Sequence, residues 1–137
     1  MEGTNIQIPQ SILFIVCRKD INMSHQKLAQ QVALATLRCN HKGMVACLDK
    51  LGQWSHRCEW YRTWVSQSLP IVILGCDNLD ALWATHDSIQ HKHPDIPIYV
   101  VKDKTYSSEE DETITCMGVG PCYRDDVVKY IMQFPMY

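Results

Sequence analysis

Three side chains in this sequence together offer the chemistry needed to cleave an ester: Lys27, Asp103 and Ser107. A lysine ammonium can polarise a carbonyl, a carboxylate can orient a water molecule, and a hydroxyl can add a hydrogen bond. Lys27 and Asp103 each follow an apolar run that is predicted to form a strand. Because ligands bind outside the carboxyl ends of strands in open α/β sheets, the sequence predicts that the two lie at one such edge.

The apolar runs before these residues belong to an alternation of predicted strands and helices. Strands are predicted at 11–17, 70–76, 97–101 and 113–118, and helices at about 24–40, 44–67, 78–90 and 124–133. The first run is apolar on both faces, which is typical of a central strand covered by helices. Helical crossovers predict a largely parallel sheet, and the short connection before the last strand predicts an antiparallel pair.

The predicted fold class is therefore α/β, with a four-stranded mixed sheet between two layers of helices. The chain's length of 137 residues fits a single domain. We expect that domain at 11–137, after a flexible N-terminal segment at 1–10.

The first predicted helix carries an apolar face and a neighbouring polar row. The apolar positions suit packing on a sheet: Leu28, Val32, Ala35 and Cys39. The row falls on one side at helical spacing: Lys27, Gln31, Leu34 and Arg38. Such a row either is a solvated helix face or contacts a ligand.

Composition places the chain among globular proteins rather than membrane proteins. It is 46% hydrophobic and 20% charged, and no apolar run approaches the roughly 20 residues that a membrane helix needs. The first ten residues lack the pattern of a secretory signal. Seven scattered cysteines, an odd number, indicate free thiols rather than a disulfide framework, so we expect a cytoplasmic location.

Charge is unevenly distributed, although the net charge of −2 gives no global signature of nucleic-acid binding. Residues 1–70 hold eight Lys and Arg against four acidic residues, whereas residues 71–137 hold five against eleven. Phosphates of a bound polyanion are therefore expected on the first half, where the following cations are close in sequence: Arg18, Lys19, Lys27, Arg38 and Lys42.

Two further sets of residues can be explained either by a structural role or by a function. One set could gather on a zinc ion, but its spacing matches no common zinc module: Cys39, His41, His56 and Cys58. The other set lies at helical spacing and suits a core or an interface, with RNA stacking as the alternative: Trp54, Trp60 and Trp64. No metal and no cofactor is predicted.

Three segments of the sequence, taken together, indicate a protein family more specifically than any one motif does. Residues 16–35 read VCRKDINMSHQKLAQQVALA, residues 102–108 read KDKTYSS, and residues 113–121 read TITCMGVGP. In order and gaps they resemble the motifs RxDLxMxxGKxAAQxxHA, RDAGxTQ and TVTxLGIGP of the type 2 peptidyl-tRNA hydrolases of archaea and eukaryotes. The resemblance covers about residues 12–134 and implies a four-stranded mixed α/β fold that is often dimeric.

Position by position, the resemblance implies a catalytic set of Lys27, Asp103 and Ser107. Lys27 would stabilise the oxyanion, Asp103 would orient the water, and Ser107, at the position of a family threonine, would support the carbonyl or the ribose. Four further residues are assigned to substrate binding, with Arg38 as a hypothetical phosphate contact: Gln31, Arg38, Arg18 and Ser108.

The implied function is hydrolysis of the ester between a peptide and the 3′ end of tRNA, with tRNA as partner and a homodimer possible. Leu34 stands at the family's histidine position and Gln26 at a glycine. General acid and base groups contribute about 10²- to 10⁴-fold, so low activity is expected. The alternatives are a catalytically impaired relative that binds tRNA or a protein, and a metabolite-binding α/β domain.

Overall fold

The structure, a computed structural model, describes residues 8–48, 55–103 and 113–137. Within these ranges the elements, in chain order, are β1 (Ser11–Arg18), α1 (His25–Leu48), α2 (His56–Ser66), β2 (Ile71–Cys76), α3 (Leu79–Lys92), β3 (Ile98–Asp103), β4 (Thr113–Tyr123) and α4 (Arg124–Ile131). Trp54, Ser107 and Ser108 lie outside the described residues, as does 1–7 of the predicted N-terminal segment.

The four strands form one mixed sheet in the order β2-β1-β4-β3. β1 pairs with β2 in parallel, and β4 is antiparallel to both β1 and β3. β1, β2 and β3 therefore run in the same direction, and their carboxyl ends share one edge of the sheet. This arrangement confirms the predicted α/β class, the mixed sheet and the antiparallel last pair. The prediction of a largely parallel sheet is wrong, because β4 lies between β1 and β3 and only the β1–β2 pair is parallel.

Helices cover both faces of this sheet, and every residue of β1 from Ser11 to Cys17 is therefore buried. Alternate residues point to opposite faces of a strand. Leu13, Ile15 and Cys17 pack with residues of α1 and α2: Ala35, Cys39 and Trp64. Ile12, Phe14 and Val16 pack mainly with residues of α3 and α4: Leu82, Ile89, Val127 and Ile131. Trp60 and Trp64 are also buried, as a core role requires.

Helix α1 continues to Leu48, so the predicted end near Asn40 and the predicted start of the second helix at Met44 are wrong. The second helix itself is present as α2. Gly43, a residue type that commonly ends helices, lies inside α1 and is buried. A Cβ at Gly43 would lie 2.6 Å from Tyr61 Cδ1 of α2. The glycine therefore allows the two helices to approach closely instead of ending the first one.

Cys47 near the end of α1 and Cys58 in α2 form a disulfide, which corrects the prediction that all cysteines are free thiols. The other five are free and buried, as expected: Cys17, Cys39, Cys76, Cys116 and Cys122. Burial raises the pKa of Cys39 to about 12 and that of Cys76 to about 11, so both stay protonated at neutral pH. Two cysteines 11 residues apart gave no sequence signal of pairing, because their contact depends on how α1 and α2 pack.

Reduction of the Cys47–Cys58 bond is expected to lower the free energy of unfolding by about 2–3 kcal/mol, because it releases a constraint on a loop of this length in the unfolded chain. Urea denaturation with and without a thiol reductant measures the difference. A Cys47→Ser variant is the control and should have the lower stability under both conditions. Equal stability of the oxidised and reduced wild type would contradict the prediction.

None of the helices in the described ranges combines the length and the hydropathy needed to cross a membrane.

Candidate active site

Lys27 and Asp103 meet at the shared carboxyl edge of the sheet. Lys27 lies in the first turn of α1, where its backbone N–H donates to Ser24 Oγ at 3.1 Å, so Ser24 caps the helix. Asp103 is the last residue of β3. Lys27 Nζ lies 2.6 Å from Asp103 Oδ2, and the side chains are only 20% and 11% exposed. The structure thus places an ammonium beside a carboxylate that is largely withdrawn from water.

Gln31 connects this ion pair to the interior of the protein. Its Nε2 donates to Asp103 Oδ2 at 2.9 Å, and its Oε1 accepts from Thr115 Oγ1 at 2.6 Å. The sequence placed Gln31 in an exposed row, but it is 1% exposed. An amide is tolerated there because both of its ends are hydrogen-bonded. Since Asp103 only accepts hydrogen bonds when ionised, the donor end of the amide faces the carboxylate.

Thr115 is a residue of this site that sequence reasoning missed. In a regular strand Thr115 and Cys116 would face opposite sides of the sheet. The register of β3 and β4 shifts by one residue between the pairs Val101–Cys116 and Lys102–Ile114, which leaves Thr115 as the extra residue. Both Thr115 and Cys116 consequently contact Gln31 of α1. The only signal in the sequence is a hydroxyl in the motif T-I-T.

Arg18, at the end of β1, is held by its own neighbours. Its guanidinium makes two bonds to the Asp20 carboxylate, at 2.9 and 3.0 Å, and a third to the Ile114 carbonyl at 3.0 Å. The bonds from Arg18 hold the pKa of Asp20 below its usual range. Arg18 therefore fastens the turn after β1 to the start of β4, next to the strand residues that form the site.

The rest of the predicted row lies on the surface of α1. Leu34 is 39% exposed although it is apolar. The Arg38 guanidinium lies over the Tyr99 ring of β3, 5.6 Å from its centroid, and Lys42 Nζ donates to the Ile98 carbonyl at 3.1 Å. These two cations therefore lie along the flank of α1 that faces β3.

A shallow depression of about 260 Å³ opens beside the ion pair at the start of α1. It is lined by Ser24, Gln26, Lys27 and Gln30. Its walls are polar, so it can take a small polar group next to the ammonium of Lys27.

No group of three or more His, Cys, Asp and Glu side chains within the described ranges is placed to hold a metal ion. Cys58 of the zinc alternative is in the disulfide, and Cys39 is buried in the core. The chemistry available at this edge is that of a cation, a carboxylate and their hydrogen-bonded supports.

Similar sequences occur in proteins of one known family. The family model described as "Peptidyl-tRNA hydrolase PTH2" matches residues 11–137. A peptidyl-tRNA hydrolase of Metallosphaera sedula is 29% identical over 80% of this chain and 85% of its own length. Those of Saccharolobus islandicus and Sulfolobus acidocaldarius are each 28% identical, over 80% and 78% of this chain and 84% and 83% of theirs. A match that spans all the strands and helices described above shows that the chain belongs to the PTH2 family of peptidyl-tRNA hydrolases.

Proposed function

We propose that this protein hydrolyses the ester between a peptide and the 3′ end of tRNA, with Lys27 and Asp103 as its catalytic residues. The observation that carries the proposal is the largely buried 2.6 Å ion pair at the carboxyl edge of the sheet. Family membership supplies the reaction class, because the archaeal relatives are named peptidyl-tRNA hydrolases. We place the reaction in the cytoplasm, where peptidyl-tRNA is produced by translation.

In this mechanism Asp103 accepts a proton from a water molecule as the water oxygen attacks the ester carbonyl carbon. The carbonyl oxygen becomes an oxyanion, which the Lys27 ammonium stabilises. The bond from the carbonyl carbon to the ribose oxygen then breaks, and that oxygen takes up the proton held by Asp103. The products are a free peptide acid and a tRNA with a free 3′ end. Ser107 is proposed to support the carbonyl or the ribose.

Gln31 is proposed to act through Asp103 instead of contacting the substrate. It is buried, and its amide fixes the carboxylate from the side of the protein interior. Arg18 is proposed to support substrate binding indirectly, by holding this edge of the sheet, since three of its five N–H donors are bonded to Asp20 and Ile114.

Arg38 is proposed as a contact for tRNA phosphate, because it is exposed on the flank of α1 that leads away from Lys27. Ser108 completes the proposed substrate-binding set.

The proposed activity is slow compared with that of the archaeal relatives. Leu34 stands at the position of the family's histidine, and a leucine can neither transfer a proton nor hydrogen-bond a nucleotide. The leucine side chain is partly exposed on the surface of α1. No histidine of this helix lies within one turn of Leu34 to replace the missing imidazole. A rate equal to that of the Metallosphaera sedula relative in the same assay would contradict this part of the proposal.

The decisive experiment incubates the purified wild type with an N-acylated aminoacyl-tRNA and follows release of the acyl-amino acid. Hydrolysis above the spontaneous rate is expected, and Lys27→Ala should reduce kcat/KM by about 10²- to 10³-fold because it removes the oxyanion donor. Lys129→Ala, on the exposed side of α4, is the matched control and should act as wild type. Binding of tRNA without any turnover would instead support a tRNA-binding module.

A further inference from the structure

The outward side of α1 carries a row of large apolar side chains that are exposed to solvent. Leu34 and Met44 are each 39% exposed, and Leu37 and Leu48 are each 63% exposed. Their spacing of three, seven and four residues places all four on one side of the helix. We call these four residues the α1 row. An exposed stripe of this kind on a soluble helix is typical of a binding surface.

The charges around the α1 row indicate the partner. Helix α1 has 24 residues and contains no acidic side chain. Its cations Lys27, Arg38 and Lys42 lie along one flank, with Arg38 over Tyr99 and Lys42 on the Ile98 carbonyl. A second copy of this helix would bring like charges together without any carboxylate to compensate for them. The row therefore suits a partner that is apolar where it touches the leucines and anionic nearby.

The α1 row is continuous with the candidate active site. Leu34 follows Lys27 by seven residues, which places it on the same side of α1 and about 10 Å further along the helix axis. A substrate whose ester lies at Lys27 has two parts that can extend along α1, an anionic tRNA end and a peptide. Aliphatic side chains gain free energy by covering apolar groups, whereas ribose and phosphate do not bury apolar surface in this way.

We propose that the α1 row binds the peptide part of peptidyl-tRNA and gives the protein a preference for apolar peptides. The inference rests on the proposed function, because it needs the ester to lie at Lys27. An extended peptide advances about 3.3 Å per residue. The residues that reach Leu34 and Leu37 are therefore about the third to the fifth from the ester, and the first two do not contact the row.

Binding of stable probes tests this inference without requiring turnover. The probes are short tRNA acceptor stems that carry a hexapeptide through a 3′ amide, with either leucine or serine at the third to fifth residues from the linkage. Fluorescence anisotropy measures Kd for both probes and for the stem without peptide. The wild type is expected to bind the leucine probe about 10-fold more tightly than the serine probe.

The double variant Leu34→Gln/Leu37→Gln should reduce this preference to less than about 3-fold while leaving the Kd of the peptide-free stem unchanged. Met132→Gln is the matched control, because Met132 is 65% exposed at the end of α4, outside the row. It should retain the full preference of the wild type. A probe with leucine at only the first two residues should bind like the serine probe.

Three results would overturn the inference. Equal affinity of the wild type for both probes would exclude a peptide subsite. Equal weakening of all probes, including the peptide-free stem, in the double variant would assign the row to the RNA instead. Loss of the preference in Met132→Gln as well would assign it to another surface. If an ester-linked leucine probe binds more tightly than its serine counterpart and yet is not hydrolysed, that result would contradict the proposed hydrolase function and still support the peptide subsite.

Discussion

Asp103→Asn is expected to lower kcat for peptidyl-tRNA hydrolysis by about 10²- to 10⁴-fold, because the amide cannot accept a proton from the attacking water. The substitution keeps the shape of the side chain but removes its negative charge. An asparagine oxygen can still accept from Lys27 and from Gln31, which both bond Asp103 Oδ2 in the wild type. The free energy of unfolding should fall, because the largely buried Lys27 ammonium loses its counter-charge. The Kd for tRNA should stay close to that of the wild type, so the kinetic loss falls on kcat and not on KM.

Steady-state kinetics with an N-acylated aminoacyl-tRNA, together with a urea denaturation curve, measure both parts of this prediction. Asp125→Asn is the matched control, since Asp125 is an exposed carboxylate in the first turn of α4, on the other face of the sheet. It should leave kcat unchanged. A tenfold or smaller loss in Asp103→Asn would mean that Asp103 orients Lys27 and does not act as the base.

Gln31→Leu is expected to lower the free energy of unfolding by about 2–4 kcal/mol and to reduce kcat as well. The leucine leaves the buried Thr115 hydroxyl without its acceptor and removes a donor from Asp103. A buried polar group that loses its partner costs about 1–3 kcal/mol. The carboxylate also loses the bond that fixes it from the interior, so its orientation toward the water should become less defined.

A second substitution separates the two consequences of Gln31→Leu. Thr115→Val keeps the shape of Thr115 but leaves Gln31 Oε1 unpaired, which should cost about 1–3 kcal/mol on its own. In the double variant both polar partners are gone, so its stability should exceed the value expected from adding the two single losses. The kcat of the double variant should stay low, because Asp103 still lacks the hydrogen bond from Gln31. Additive losses of stability would show that Gln31 and Thr115 do not interact in solution.

The predictions of secondary structure that were confirmed depend on local sequence patterns. The apolar run at 11–17 led to the observed central strand, and the short connection before the last strand led to the antiparallel β3–β4 pair. Helices α1 and α3 begin close to their predicted positions, where Ser24 and Asn78 cap them. The boundaries that failed depend on distant residues. Gly43 reads as a helix stop in sequence, but it packs under Tyr61 and the helix continues.

The candidate site shows the same division. Order of elements was enough to predict that Lys27 and Asp103 belong to one edge of the sheet, and the resemblance added roles for them. The sequence could not predict that Gln31 is buried, since on a helical wheel Gln31 lies between exposed and buried positions. Its burial depends on Asp103 and Thr115, which are 72 and 84 residues away in the chain.

What the sequence by itself determined is the set of elements, their order and the identity of the reactive groups, because periodicity, capping and turn residues act within a few positions. Only the tertiary structure decided that Thr115 joins the site. A one-residue shift in the β3–β4 register turns its hydroxyl toward α1, and nothing local to T-I-T specifies that shift. The pairing of Cys47 with Cys58 was likewise decided by packing, because two helices must meet before their thiols can.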